Sequence, residues 1–187
     1  MTRPHRCPRL PAHPALLVVG LAGLFAGGCT SHENDFAPAC PSLELLRDAS
    51  EISRFAGPGA HDASQLVLTA RIVAVPANCE NGEPGHVKAT LHVQANVLRG
   101  PAARSDSAAL PYFVAVMEGP RVLQEQDFTL PVTFRSNADR ADATGTDLEL
   151  TLPVSKTKSA AAYRLFVGFR LSAEELAYNR QHAAPGS

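Results

Sequence analysis

The feature that most constrains the fold is a strict alternation of apolar and polar residues near the middle of the chain. From Val87 to Val97 every second residue is apolar, and the residues between them are Lys, Thr, His, Gln and Asn. Successive side chains of a β-strand point to opposite faces, so this period indicates a strand with one buried and one solvated face. Such strands are typical of antiparallel sheets.

Other runs in the chain also read as strands. The residues NGEPG separate the alternating run from an aliphatic run over 65–75, which predicts a hairpin with Cys79 near its tip. Further strands are predicted at 110–117, 128–134, 148–154 and 163–171. Six strands joined by turns, with hardly a helix, predict a mainly β chain folded as an antiparallel β-sandwich.

Two segments carry helical signals. Leu45, Leu46, Ala49, Ile52 and Phe55 recur at roughly helical spacing, which predicts a helix or helical turn over 42–55. Near the end, the sequence SAEE over 172–175 fits a capping box and predicts a short C-terminal helix. We expect residues 181–187 to form a disordered tail.

The first 28 residues have the pattern of a secretory signal. Three arginines and no acidic residue precede an uncharged apolar run over 15–28 that ends in small residues. A membrane-spanning helix needs about 20 apolar residues, more than this run contains.

The residues Ala26-Gly27-Gly28-Cys29 resemble the lipobox of bacterial lipoproteins, although Ala26 stands where leucine is usual. The resemblance implies a diacylglyceryl group on the Cys29 thiol and a mature chain that begins there. Ordinary signal cleavage, with Cys29 incidental, is the alternative. Thr30 is not the aspartate that retains lipoproteins at the inner membrane, which favours the periplasmic face of the outer membrane. The expected organisation is a signal peptide over 1–28, a tether over 29–39, a sandwich domain over 40–180, and the tail.

The net charge of the chain limits which classes of partner are expected. Removal of residues 1–28 takes away three of 17 basic residues and none of 18 acidic ones, which leaves a net charge of −4 (14 minus 18). The chain contains no basic run, and phosphate binding needs clustered cations, so nucleic acid is excluded as an expected partner.

Two cysteines remain after the signal and the acylated residue are set aside. In an oxidising compartment, Cys40 and Cys79 are expected to form a disulfide. A redox or metal-binding pair is the alternative, but neither cysteine lies in a C-x-x-C motif or beside a histidine. We expect no metal and no cofactor.

The final strand resembles that of immunoglobulin-like and fibronectin-type-III-like sandwiches. In that resemblance Tyr163 is the corner tyrosine, whose hydroxyl bonds to the backbone upstream. The chain departs from the immunoglobulin pattern because it has no tryptophan and its cysteine pair lies elsewhere. The stretches LPYFVAV and FVGFRLSAEELAYNR also resemble a group of bacterial envelope lipoproteins that supplies no activity to carry over.

Candidate binding features lie on the predicted strands. Tyr112, Phe166 and Arg170 are the candidates for a binding surface, because aromatic residues beside arginine are common at interfaces. Coverage of these residues by the terminal helix is the alternative. Pro131 and Pro153 interrupt strand patterns, so both strands should be sheet edges. Such an edge either docks a partner or is protected from pairing.

Candidates for metal binding or catalysis are weak. The acidic stretch 137–149 does not have calcium-loop spacing and is typical of a solvated hairpin loop. His86 and His92 share a strand face with other polar residues and lack a third ligand. The sequence contains no HExxH, GxSxG, Walker or dinucleotide motif.

The sequence therefore predicts a non-catalytic binding or scaffolding module of the cell envelope, anchored to the membrane by an N-terminal lipid. The expected partner is an envelope protein or a cell-wall polymer. A small periplasmic hydrolase or carbohydrate-binding enzyme is the alternative. A structural envelope protein without a specific ligand is a third hypothesis.

Overall fold

The computed structural model describes residues 38–57, 59 and 61–182. The predicted signal peptide, the lipid site at Cys29 and most of the tether lie outside the described residues. The described part contains eleven β-strands and one α-helix. Within it, no helix has the length and apolarity needed to cross a membrane.

The first layer is a four-stranded sheet in the order β1-β11-β7-β8. Strands β7 and β8 form a long hairpin, and β11 runs antiparallel to β7. Strand β1 instead joins β11 in parallel, a departure from the expected antiparallel pattern. The bounds are β1 Ser42–Leu45, β7 Ser107–Glu118, β8 Arg121–Thr133 and β11 Tyr163–Phe169.

The second layer consists of three long strands, each bent into two segments, with β2 added at one edge. The segments pair in the orders β2-β3-β6-β9 and β10-β5-β4. The bounds are β2 Glu51–Phe55, β3 Leu66–Ala74, β4 Ala77–Asn81, β5 His86–Leu91, β6 Gln94–Arg99, β9 Arg140–Thr144 and β10 Leu148–Pro153.

The bends of the three strands lie side by side. The backbone N–H of His92 donates to the carbonyl of Pro76 at 3.2 Å, and that of Gly145 donates to Val93 at 2.8 Å. A Cβ on Gly145 would lie 3.1 Å from the Tyr112 hydroxyl, so the bend there favours a residue without a side chain. The single strand predicted over Val87–Val97 is therefore two strands, β5 and β6.

One apolar core lies between the layers, and the alternation accounts for it. All six apolar residues of the alternating run, from Val87 to Val97, are buried, and so are Tyr163, Leu165 and Val167 on β11. The predicted antiparallel β-sandwich is confirmed. Constant-type immunoglobulin domains place the first, second, fifth and fourth strands in one sheet. In the second layer here, β2 lies next to the bent strand β3–β4, which lies next to the bent strand β5–β6. Successive strands of the chain are therefore neighbours, and this order does not establish the immunoglobulin-like subtype.

The prediction of a helix or helical turn spanning 42–55 is wrong. The segment forms β1, a 3₁₀ turn over Arg47–Ala49 and β2. Leu45 and Leu46 are exposed, whereas Ile52 is fully buried. The segment crosses from the edge of one layer to the edge of the other. Its apolar residues therefore meet different surfaces, and their spacing does not define one helical face.

The C-terminal helix is confirmed. Helix α1 spans Ala173–His182. The backbone N–H of Ser172 donates to the Glu175 carboxylate at 2.7 Å, and the Glu175 N–H donates to the Ser172 hydroxyl at 3.1 Å. This is the reciprocal pair of a capping box. The helix continues two residues into the predicted tail, and residues 183–187 lie outside the described part.

Three local predictions agree with the structure. The sulfur atoms of Cys40 and Cys79 lie 2.06 Å apart, at the distance of a disulfide bond. The hydroxyl of the buried Tyr163 donates to the carbonyl of Pro153 at 2.6 Å, as a corner tyrosine does. Pro131 lies on β8 and Pro153 on β10, and both strands are sheet edges.

Candidate functional site

The three residues predicted to form a binding surface do not lie together. Arg170 is exposed, immediately after β11, and Phe166 is half-buried on the outer face of the first layer. Tyr112 is 1% exposed and lies in the core, where its ring stacks on Phe128 with 5.5 Å between centroids. The prediction for Tyr112 is therefore corrected, because a side chain in that position cannot contact a partner.

Phe113, the neighbour of Tyr112, lies on the outer face of β7, where Tyr112 was expected. Neighbouring residues of a strand face opposite ways, so the burial of Tyr112 turns Phe113 to the outer face of β7. The Arg170 guanidinium lies 4.5 Å from the centroid of the Phe113 ring. This distance is within the range of a cation–π contact.

A groove lies beside this pair, and we call it the α1 groove. It is bounded by α1, the 3₁₀ turn and the outer face of β7 and β11, and its volume is about 490 Å³. Its lining consists of Leu46, Arg47, Asp48, Ala49, Phe113, Phe169, Arg170, Leu171, Leu176 and Arg180. The chemical character is an apolar floor with a charged rim.

A glycine allows the turn to approach the sheet. A Cβ on Gly168 would lie 2.9 Å from the Cβ of Ala49 and 3.3 Å from the Phe113 ring. Any larger residue at position 168 would push the 3₁₀ turn away from β11. The glycine in the last strand therefore sets one wall of the α1 groove.

Polar contacts fix the helix on the other wall. The side-chain amide of Asn179 donates to the carbonyls of Asp48, at 2.9 Å, and Glu51, at 2.8 Å. Arg54 forms an ion pair with Glu175 at 3.3 Å. No residue of α1 is fully buried. The helix is thus attached to β2 and the 3₁₀ turn through polar contacts more than through the core.

The rim of the groove is basic. Arg170 pairs with Glu125 at 2.7 Å and with Asp127, and these carboxylates, Asp127 first, raise the pKa of the guanidinium. Arg180 pairs with Asp48 at 2.9 Å. The exposed Arg47 forms no ion pair with another described residue. One cation of the rim is therefore free to meet an anionic group.

A second pocket, of about 190 Å³, lies on the opposite side of α1. Its aromatic wall is built from Phe55, His61 and Tyr178, with centroids 5.1–5.5 Å apart. The backbone N–H of Gly59 donates to Glu174 at 2.7 Å. These contacts hold the loop before β3 against the helix, so the pocket is explained by packing.

The residues considered for metal binding or catalysis are dispersed. Asp142 accepts from Asn96, and Glu149 pairs with Lys88. Among the described residues, no cluster of three His, Cys, Asp or Glu side chains could hold a metal ion.

Hydrolysis through acyl transfer uses a nucleophile, a base and an acid that orients the base. The structure brings a candidate base and a candidate orienting acid together. His92 Nδ1 lies 3.2 Å from Asp147, which is the geometry of a base and its orienting acid. The Nε2 atom of His92 faces the Gln94 amide nitrogen at 3.2 Å instead of a hydroxyl or thiol. His86, also considered as a ligand, is half-buried, and its Nδ1 has no hydrogen-bond partner in the described part of the chain. No hydroxyl or thiol of a described residue is hydrogen-bonded to His92.

Comparison with protein-family models, with curated proteins and with solved structures gives no match. The site is therefore defined by its geometry alone.

Phe113 and Arg47 line the α1 groove, but the sequence pattern does not identify either of them as a site residue. Phe113 follows Tyr112 in a run that is apolar on both faces, so its outward direction is not encoded by periodicity. Arg47 lies in the segment read as helical, and only the fold places it beside α1.

Proposed function

We propose that this protein is a lipid-anchored, non-catalytic binding module of the bacterial cell envelope. Its lipid would be attached at Cys29 and its domain would face the periplasm, with the outer membrane as the expected location. The support for anchoring is the signal-like segment that ends in the lipobox-like Ala26–Cys29. The support for binding is the α1 groove.

The observation that carries the binding function is the chemistry of the α1 groove. Leu46, Phe113 and Leu176 offer apolar surface, and Arg47 offers a cation without an ion-pair partner in the described chain. Interfaces typically combine an apolar centre with a polar rim. The groove suits an apolar segment that carries an acidic group, and we assign that segment to another envelope protein.

The lipid anchor would strengthen such binding without additional contacts. A protein confined to a membrane surface meets other membrane-bound partners at a raised effective concentration. A groove of modest size can therefore suffice.

Photo-crosslinking in cells tests the proposal. A photoreactive residue at Leu46, which is 37% exposed in the groove, is compared with one at Leu98, which is 42% exposed on β6. We expect one abundant adduct from position 46 and not from position 98. In the same assay Arg47→Glu should abolish the adduct, whereas Arg135→Glu, at an exposed arginine that does not line the groove, should preserve it. Identical adducts from both positions would contradict the proposal.

A further inference from the structure

The end of the β7–β8 hairpin projects from the sandwich. Every residue over 119–127 is exposed. Val122, at 52%, has the largest exposed fraction among the large apolar residues described, and the adjacent Leu123 is 42% exposed. We call residues 119–123 the hairpin tip. Exposed apolar side chains that lie together, unlike ones scattered singly, are typical of protein or membrane contacts.

A β-bulge lies beside the hairpin tip. In the β7–β8 register Gln124 pairs with Val116 and Val122 pairs with Met117, so Leu123 is the extra residue. A bulge breaks the alternation of a strand and re-aims its side chains.

The base of the hairpin tip is held firmly. Glu118 pairs with Lys158 at 2.6 Å and with Arg121 at 3.3 Å. The Arg164 guanidinium donates to the carbonyl of Gly119 at 3.1 Å. The tip therefore has a fixed direction relative to the core.

The chain enters the domain at the same end. Ser42 of β1 pairs with Arg164, and Arg164 pairs with Met117, one residue from the end of β7. Ten residues lie between Cys29 and Cys40, so the two cysteines can be at most about 40 Å apart when this segment is fully extended. A lipid on Cys29 would therefore keep this end of the sandwich near the bilayer.

We infer that the hairpin tip is a second membrane contact, with Val122 and Leu123 entering the headgroup region of the bilayer that holds the lipid anchor. The inference rests on the proposed anchoring at Cys29. Arg121 lies beside them and pairs with Glu118, but its side chain is 72% exposed, so its other N–H groups can donate to lipid phosphates. Apolar side chains next to a cation are the pattern of interfacial binding.

The contact would set the orientation of the domain. Phe113 lies five residues from Glu118 along β7, which is about 17 Å at the rise of an antiparallel strand. The α1 groove would then stand clear of the lipid and remain open to the periplasm. Lipid anchoring alone would leave the domain free to rotate.

Tryptophan fluorescence tests the inference, because the chain contains no tryptophan. Leu123→Trp and Leu98→Trp place the fluorophore at two leucines of equal exposure, 42%. Leu98 pairs with Thr69 and Arg140, away from the hairpin tip. The mature lipidated proteins are reconstituted into vesicles of phosphatidylethanolamine and phosphatidylglycerol that carry brominated acyl chains.

We expect blue-shifted emission and at least twofold quenching for Leu123→Trp, and water-like, unquenched emission for Leu98→Trp. Equal quenching at both positions would overturn the inference, and so would an unquenched Leu123→Trp. A blue shift at Leu123→Trp without bromine quenching would assign the tip to a second copy of the protein instead. Vesicle flotation separates the two proposals: a protein that does not float refutes the lipid anchor, whereas one that floats without quenching refutes the tip contact alone.

Discussion

Tyr163→Phe tests the corner at which the two layers are joined. The Tyr163 ring is fully buried, and its hydroxyl donates to the Pro153 carbonyl at 2.6 Å. This bond joins β11 of the first layer to the end of β10 in the second. The substitution removes one oxygen and leaves the packing of the ring unchanged.

The expected loss in the free energy of unfolding depends on whether water can reach the Pro153 carbonyl, which accepts the hydrogen bond. A hydrogen bond contributes about 0.5–1.5 kcal/mol net, and more when its removal leaves a buried group unsatisfied. Pro153 itself is exposed, so water can reach its carbonyl after the substitution. We therefore expect the free energy of unfolding to fall by about 1 kcal/mol, or Tm by about 3 °C for a domain of this size.

Tyr112→Phe is the matched control. Tyr112 is 1% exposed, and its hydroxyl donates to no described residue. Its removal should change the free energy of unfolding by less than about 0.5 kcal/mol. Urea unfolding followed by circular dichroism, with the disulfide intact, measures both. Equal losses in the two variants, or no loss in Tyr163→Phe, would refute the role of the corner bond.

Three further predictions concern separate parts of the domain. Replacing Cys40 and Cys79 by alanine opens a loop with a sequence separation of 39 and should cost about 4 kcal/mol, seen as a lower urea midpoint; an unchanged midpoint would contradict the role of the disulfide. Ser172→Ala removes the helix cap and should speed hydrogen exchange in α1 by about fivefold, for a loss near 1 kcal/mol, while exchange in the strands stays unchanged. The hydrogen bond from Lys158 lowers the pKa of Glu118. The pair therefore stabilises the folded state at pH values above the ordinary glutamate pKa, and this stabilisation is lost as the pH falls through the lowered pKa of Glu118. Glu118→Gln should therefore flatten the pH dependence of Tm below about pH 4, and a curve parallel to wild type would refute the assignment.

The alternating segments of the fold were predictable because one face of each strand is buried. Most residues of each alternating run lie in strands, although the run over 87–97 is divided between β5 and β6. The reciprocal bonds of Ser172 and Glu175 follow from their spacing alone. Periodicity failed at β1 and β2, because each contacts a different layer. It also missed the bend at His92, where burial continues through Val93 while the hydrogen-bond partner changes.

The candidate site was predictable only in part. Arg170 was identified because it lies on the polar face of the last strand, and the structure places it on the rim of the α1 groove. The choice between Tyr112 and Phe113 depends on which face of β7 meets the core, and a run that is apolar on both faces does not encode it. The contribution of Arg47 depends on a long-range approach of the 3₁₀ turn to Gly168.

The most direct test of the central claim is the intact mass of the protein purified from bacterial membranes. A lipid-anchored envelope module predicts a chain that begins at Cys29 and carries the added mass of a diacylglyceryl group, which Cys29→Ser abolishes along with membrane retention. A chain that begins at another residue, or that retains residues 1–28 with a free Cys29 thiol, would contradict the account.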